Sequence, residues 1–102
     1  MKEQKKQYDF SPEKNQQLIA ERGISFEEVI SAIEQGTLVD ILPHPNAAKY
    51  PNQEIYVLNM NNYVYLVPFV KKDNTIFLKT IFPHRKLTKK YLREMYEEEK
   101  VY

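Results

Sequence analysis

The 102-residue sequence contains no cysteine. That excludes disulfide scaffolds, thiolate metal sites and cysteine nucleophiles. Glycine occurs only twice, at Gly23 and Gly36, so no glycine-rich phosphate loop is present, and both positions read as helix ends. No apolar run approaches the ~20 residues of a membrane helix. The polar opening Met1–Gln7 leads into no apolar core of the kind a secretory signal carries. The two histidines lie far apart, without H-x-x-x-H or H-x-E spacing. His44, in Pro43-His44-Pro45-Asn46, therefore reads as an exposed loop residue, and neither a metal nor another cofactor is expected. What remains is an ordinary globular composition, 42% hydrophobic and 28% charged. The expectation is one cytoplasmic domain over residues 8–102, preceded by a flexible segment 1–7 and held by its apolar core alone.

The formal net charge of +1 conceals an asymmetry. From Gln7 to Val70, three basic residues face eight acidic ones; from Lys71 to Arg93, eight basic residues face Asp73 alone. A nearly neutral protein with its cations gathered in one segment still builds a local positive field, suited to a polyanion.

Local signals give the order of elements. Tyr8–Phe10 suits a short strand. Ser11-Pro12 opens a helix, with Ser as cap and Pro at the first helical position, and Gly23 closes it; Leu18 and Ile19 are its expected apolar anchors. Ser25-Phe26-Glu27-Glu28 is a capping box for a second helix, with Ile24 set to pack on Val29, and Gly36 ends it. Leu38–Leu42, Gln53–Asn59, Tyr63–Val70 and Thr75–Phe82 read as strands. Asn61-Asn62 forms a turn, and Pro68 marks an irregularity or a sheet edge. Thr88 is expected to cap a last helix, with Leu87 packing on Leu92, and with Leu92, Met95 and Tyr96 facing the core. The fold class is α+β: two N-terminal helices packed on an antiparallel sheet of about four strands, plus a C-terminal helix.

The chemistry gathers at the end of this order. Strand alternation puts Lys79 on one face with Phe77 and Ile81. His84, Arg85 and Lys86 follow at the strand-to-helix corner, and Lys89 and Lys90 fall in the expected first helical turn. Basic residues there oppose the helix dipole by roughly 0.3–1 kcal/mol relative to acidic ones, whereas they suit phosphate. Metal-independent RNA cleavage needs a base for the 2′-OH, a cation for the pentavalent phosphorane and an acid for the leaving oxygen. Arg85 matches the second role through its planar fork, assisted by Lys79. His84 is the segment's one side chain able to exchange a proton near neutral pH. Glu54, at the start of a central strand, is the carboxylate candidate for the base. Lys86, Lys89 and Lys90 would bind RNA phosphates, and Tyr91 or Tyr56 would stack on a base or orient a phosphate. The Tyr63–Tyr65 pair reads as packing.

The string Phe10-Ser11-Pro12-Glu13-Lys14, then Arg22-Gly23-Ile24-Ser25-Phe26-Glu27-Glu28, and finally a strand followed by Arg85-Lys86-x-Thr88-Lys89-Lys90, resembles the BrnT toxins of bacterial type II toxin–antitoxin systems. The resemblance spans about residues 8–96. It implies a RelE-like ribonuclease fold, toxicity through RNA cleavage, and neutralisation by a cognate antitoxin, a small DNA-binding protein, whose complex binds operator DNA. Lys79 stands near the family's last-strand Arg, and Arg85 meets its basic residue after the strand. Pro83-His84 replace a Ser-Ala pair, and Gln53-Glu54 partly match a Glu-x-Arg stretch. The expected function is a metal-independent endoribonuclease toxin. The alternative is a non-catalytic nucleic-acid-binding module using the same basic segment.

Overall fold

A computed structural model describes residues 7–90. The expectations for residues 1–6, Tyr91, Leu92, Met95 and Tyr96 lie outside the described residues. The chain is α+β, in the order β1 (Gln7–Asp9), α1 (Pro12–Arg22), α2 (Phe26–Glu34), β2 (Leu38–Pro43), β3 (Gln53–Met60), β4 (Tyr63–Lys72), β5 (Thr75–Leu78) and β6 (Phe82–Pro83). Residues 85–90 then form the start of α3.

Helix boundaries follow local chemistry. The Ser11 hydroxyl accepts the Lys14 N–H, Pro12 fills the first turn, and Gly23 takes the left-handed φ of 69° that a β-carbon would oppose. The α2 capping box is reciprocal: Ser25 Oγ accepts from Glu28 N–H, and the Glu28 carboxylate accepts from Ser25 N–H. Ile24 and Val29 are both buried. One anchor differs from expectation. Leu18 is 1% exposed, but Ile19 is 42% exposed. The second inward position belongs to Asn15, which is buried. Its Oδ1 accepts Phe26 N–H at 2.7 Å, and its Nδ2 donates to Glu27 at 2.9 Å. A polar side chain thus welds the two helices by satisfying a buried N–H at the start of α2.

The sheet departs from the expected four antiparallel strands. It has six strands in the order β1-β5-β4-β3-β2, with β6 also on β4. It is mixed, because β1 runs parallel to β5, with Tyr8 opposite Ile76. The β3–β4 hairpin turns through Asn61 and Asn62, both at positive φ, as a two-residue turn matching strand twist requires. Val39 is an extra residue in β2, where the register shifts.

The expected single strand Thr75–Phe82 is two strands. Pro68 explains the break. Its ring leaves no N–H for a neighbour, and only its carbonyl is used, accepting Lys79 N–H at 2.9 Å. On either side, Phe69 pairs with Leu78 and Leu66 with Phe82, so one extra residue bulges out. The bulge resets alternation. Ile81 joins Ile76 and Leu78 in the main core rather than sharing a face with Phe77 and Lys79.

Each face of the sheet has its own apolar cluster. One packs Leu18, Phe26 and Val29 of the two helices onto Tyr56, Leu58, Val67, Phe69, Ile76, Leu78 and Ile81. Tyr56 and Phe69 stack there, with centroids 4.1 Å apart. Half-buried Tyr65 packs against this cluster, with its ring tilted against that of Tyr63. The other cluster is smaller: Val57, Val64 and Leu66, with Leu42, Ile55, Phe82 and Leu87 around them. Leu87 brings α3 onto this second face.

Candidate nucleic-acid interface

Helix α3 is tied to β4 before its cations are placed. His84 N–H donates to the Val64 carbonyl at 3.0 Å, and Val64 N–H donates to Thr88 Oγ1 at 2.9 Å. Thr88 Oγ1 in turn donates to the His84 carbonyl at 2.8 Å. Both backbone groups of one central-strand residue are therefore held by the first turn of α3. The cap is His84, whose Nδ1 accepts Leu87 N–H at 3.2 Å. Thr88 is not the cap: it is buried one turn further on. The reason is the tie to Val64, which outweighs the usual preference for Thr over His as a cap.

This shifts the basic residues by a turn. Arg85 and Lys86 open α3, while Lys89 and Lys90 lie in its second turn, and all four are exposed. Leu87 anchors the helix from its inner side. The structure thus gathers four of the expected site cations on one exposed ledge. His84 lies beside them in a defined state. A ring nitrogen that accepts a backbone N–H leaves the neutral imidazole's proton on Nε2. His84 keeps Nε2–H as its ring donor, and protonating Nδ1 would cost the cap.

Lys79 is on the same face of the sheet, in a concavity of about 540 Å³ shared with Asp9, Val70, Lys72, Asp73, Thr75 and Phe77. It sits beside Pro68, whereas His84 sits beside Val64. Four residues of strand put about 13 Å between those points. Glu54 is elsewhere. It pairs with Phe69 and shares the face of α1 and α2, where its carboxylate meets Lys71 Nζ at 3.2 Å. Five strand residues, about 17 Å, and the thickness of the sheet separate it from the start of α3. The structure does not bring Glu54 together with Arg85. His44 Nδ1 accepts Asn46 N–H within its loop, and the ring packs on Tyr50.

No protein-family model, curated protein or solved structure matches the chain.

The surroundings of Glu54 are structural in character. Burial pushes the Tyr56 phenol well above its ordinary range, reinforced by neighbouring Tyr8 and Glu54, so it stays neutral. On α2, the hydrogen bond from Asn15 holds the Glu27 carboxyl below its ordinary value. A second concavity, about 350 Å³, lies between α2 and the β3–β4 turn, lined by Arg22, Glu28, Gln35, Thr37, Asn61 and Tyr65. Among the described residues no group of three His, Asp or Glu side chains is placed to hold a metal ion, and no helix is long and apolar enough to cross a membrane. Asp9, Lys72 and Phe77 escaped the sequence reading. The alternation Thr75-x-Phe77-x-Lys79 marked one row of their face, but the pairing with Asp9 joins opposite ends of the chain.

Proposed function

We propose that the chain is the RNA-directed toxin of a type II toxin–antitoxin pair, and that it binds polynucleotide through residues 79–90. The observation that carries this reading is the clamped ledge. Arg85, Lys86, Lys89 and Lys90 stand exposed on a helix whose first turn is bonded to the centre of the sheet. Two of those cations sit at the positive end of the helix, where they cost stability. An arrangement unfavourable to the isolated fold and favourable to phosphate supports a polyanion as partner. The sequence resemblance to BrnT toxins supplies the class and its remaining partners: a small DNA-binding antitoxin and, through their complex, operator DNA.

In the catalytic form of this reading the protein is a metal-independent endoribonuclease. Arg85 stabilises the phosphorane with two parallel N–H donors, Lys79 and Lys86 hold flanking phosphates, and His84 donates a hydrogen bond from Nε2. A specific observation favours the non-catalytic form: Glu54 lies across the sheet and His84 Nδ1 is occupied, so neither expected proton-transfer group stands ready beside Arg85. One assay decides between them. Purified protein is incubated with single-stranded RNA and chelator, and both binding and product ends are measured. Salt-dependent binding with 2′,3′-cyclic phosphate ends establishes the endoribonuclease, and loss of cleavage in Arg85→Ala assigns the phosphorane contact. Salt-dependent binding to intact RNA establishes the binding module. Absence of binding at low salt removes RNA as the partner.

A further inference from the structure

The concavity around Phe77 has features that the basic ledge does not explain. Phe77 is 38% exposed on a strand whose neighbouring side chains, Ile76 and Leu78, are buried. A large aromatic surface left in water costs burial energy unless something covers it. Strand pairing sets its neighbours. Asp9 is opposite Phe77 across the β1–β5 pair, and Val70 is opposite it across β4–β5. Thr75 precedes Phe77 on the same face and is opposite Lys72; Lys79 follows it. The result is an aromatic plate with the Asp9 carboxylate on one side and an ammonium group towards each end, with a second carboxylate, Asp73, in the turn beyond Lys72. The concavity, about 540 Å³, falls within the ~300–1,000 Å³ of small-ligand sites.

We infer that this concavity holds one nucleobase of single-stranded RNA, guanine before other bases, with the flanking phosphates at Lys72 and Lys79. This deepens the RNA-directed reading and rests on it for the polynucleotide, though not for the base itself. Stacking on a ring face is open to every base, which makes Phe77 the affinity element. Selectivity falls to Asp9. Its Oδ1 accepts Phe10 N–H at 2.8 Å, and the carboxylate keeps acceptor capacity on both oxygens. Guanine offers two adjacent N–H donors, at N1 and N2, which a carboxylate accepts together. Uracil offers one on the corresponding edge, flanked by carbonyl oxygens that the carboxylate repels. Lys79 also lies on the side of the concavity towards the bulge that leads to α3, so a strand on the ledge continues past it onto Phe77.

Two measurements on the full-length protein test this. The first is titration with guanosine monophosphate and uridine monophosphate, followed by amide NMR shifts. Guanosine monophosphate should move Asp9, Thr75, Phe77 and Lys79 at lower concentration than uridine monophosphate. No localised shift at millimolar nucleotide overturns the site. The second compares binding of an oligouridine with one carrying a single central guanosine. Phe77→Ala should weaken both about tenfold or more, Phe77→Tyr should keep wild-type affinity, and Asp9→Asn should erase the preference for guanosine while leaving oligouridine binding intact. Unchanged affinity and preference in Phe77→Ala overturn the site while the RNA reading stands. Failure of the wild type to bind either RNA, with localised guanosine monophosphate shifts retained, overturns the RNA reading and leaves a nucleotide site.

Discussion

The two faces of the sheet are built on different principles. On the α1/α2 face the local choices agree with the fold, the 42% exposed Ile19 excepted. Caps are satisfied, Leu18, Phe26 and Val29 are sealed, and the one buried amide, Asn15, spends its oxygen and its nitrogen on α2. On the α3 face the choices conflict with stability. Cations occupy the positive end of a helix, an aromatic ring stands in water, and a strand is interrupted at 79–81, opposite Pro68. Regions that break local rules without a stability gain are where function is to be sought. The difference teaches that local consistency and local conflict are sorted onto two surfaces of one sheet, with the exposed cations of α3 on the second.

The comparison breaks most visibly at the first face. Phe26→Ala should cost about 3–5 kcal/mol, enough to unfold a marginal domain, as read by denaturant melts. Asn15→Leu should cost about 1–3 kcal/mol by leaving Phe26 N–H buried and unsatisfied. Thr88→Val tests the joint between the faces. It strips Val64 N–H of its acceptor and should cost about 1 kcal/mol, with amide exchange rising at Val64 and in α3 ahead of the core. Lys86→Glu sharpens the contrast, because stability should rise by roughly 0.3–1 kcal/mol while RNA affinity falls and its salt dependence shallows. Glu27 gives the smallest effect. Its folded pKa is depressed, so its contribution is complete above the ordinary carboxylate range and is lost as pH falls through the folded value. Glu27→Gln should therefore flatten the acid limb of the stability profile.

The legible parts of the fold were those written in adjacent residues. Ser11-Pro12, Gly23, the Ser25–Glu28 box and Asn61-Asn62 fix their conformations by short-range chemistry, and each is found in place. Pro68 announced an irregularity, but the disruption falls on the partner strand, at 79–81, which pairing alone reveals. The parallel β1–β5 pair joins segments far apart in sequence and had no local signature. Among the site residues, the 85–90 cations were legible because a helix keeps sequence neighbours together. The placement of Glu54 depends on strand register and on which face α3 covers, and neither can be read from the residues around it. Thr88 misled because capping preference is a weak force beside the buried bond its hydroxyl accepts from Val64 of β4 and the bond it donates to the His84 carbonyl.

The bulge at 79–81 also governs how the chain tolerates changes in length. Losing Lys79 or Thr80 would remove the extra residue, still set Phe82 against Leu66 and leave the ledge in position. Where a residue gained there is paired into the ladder instead of widening the bulge, Phe82 slides two places, about 7 Å, to lie against Val64. Thr88 would then be carried past the amide it accepts from. Shortening at this one point keeps α3 hooked to Val64, and lengthening that shifts the register unhooks it.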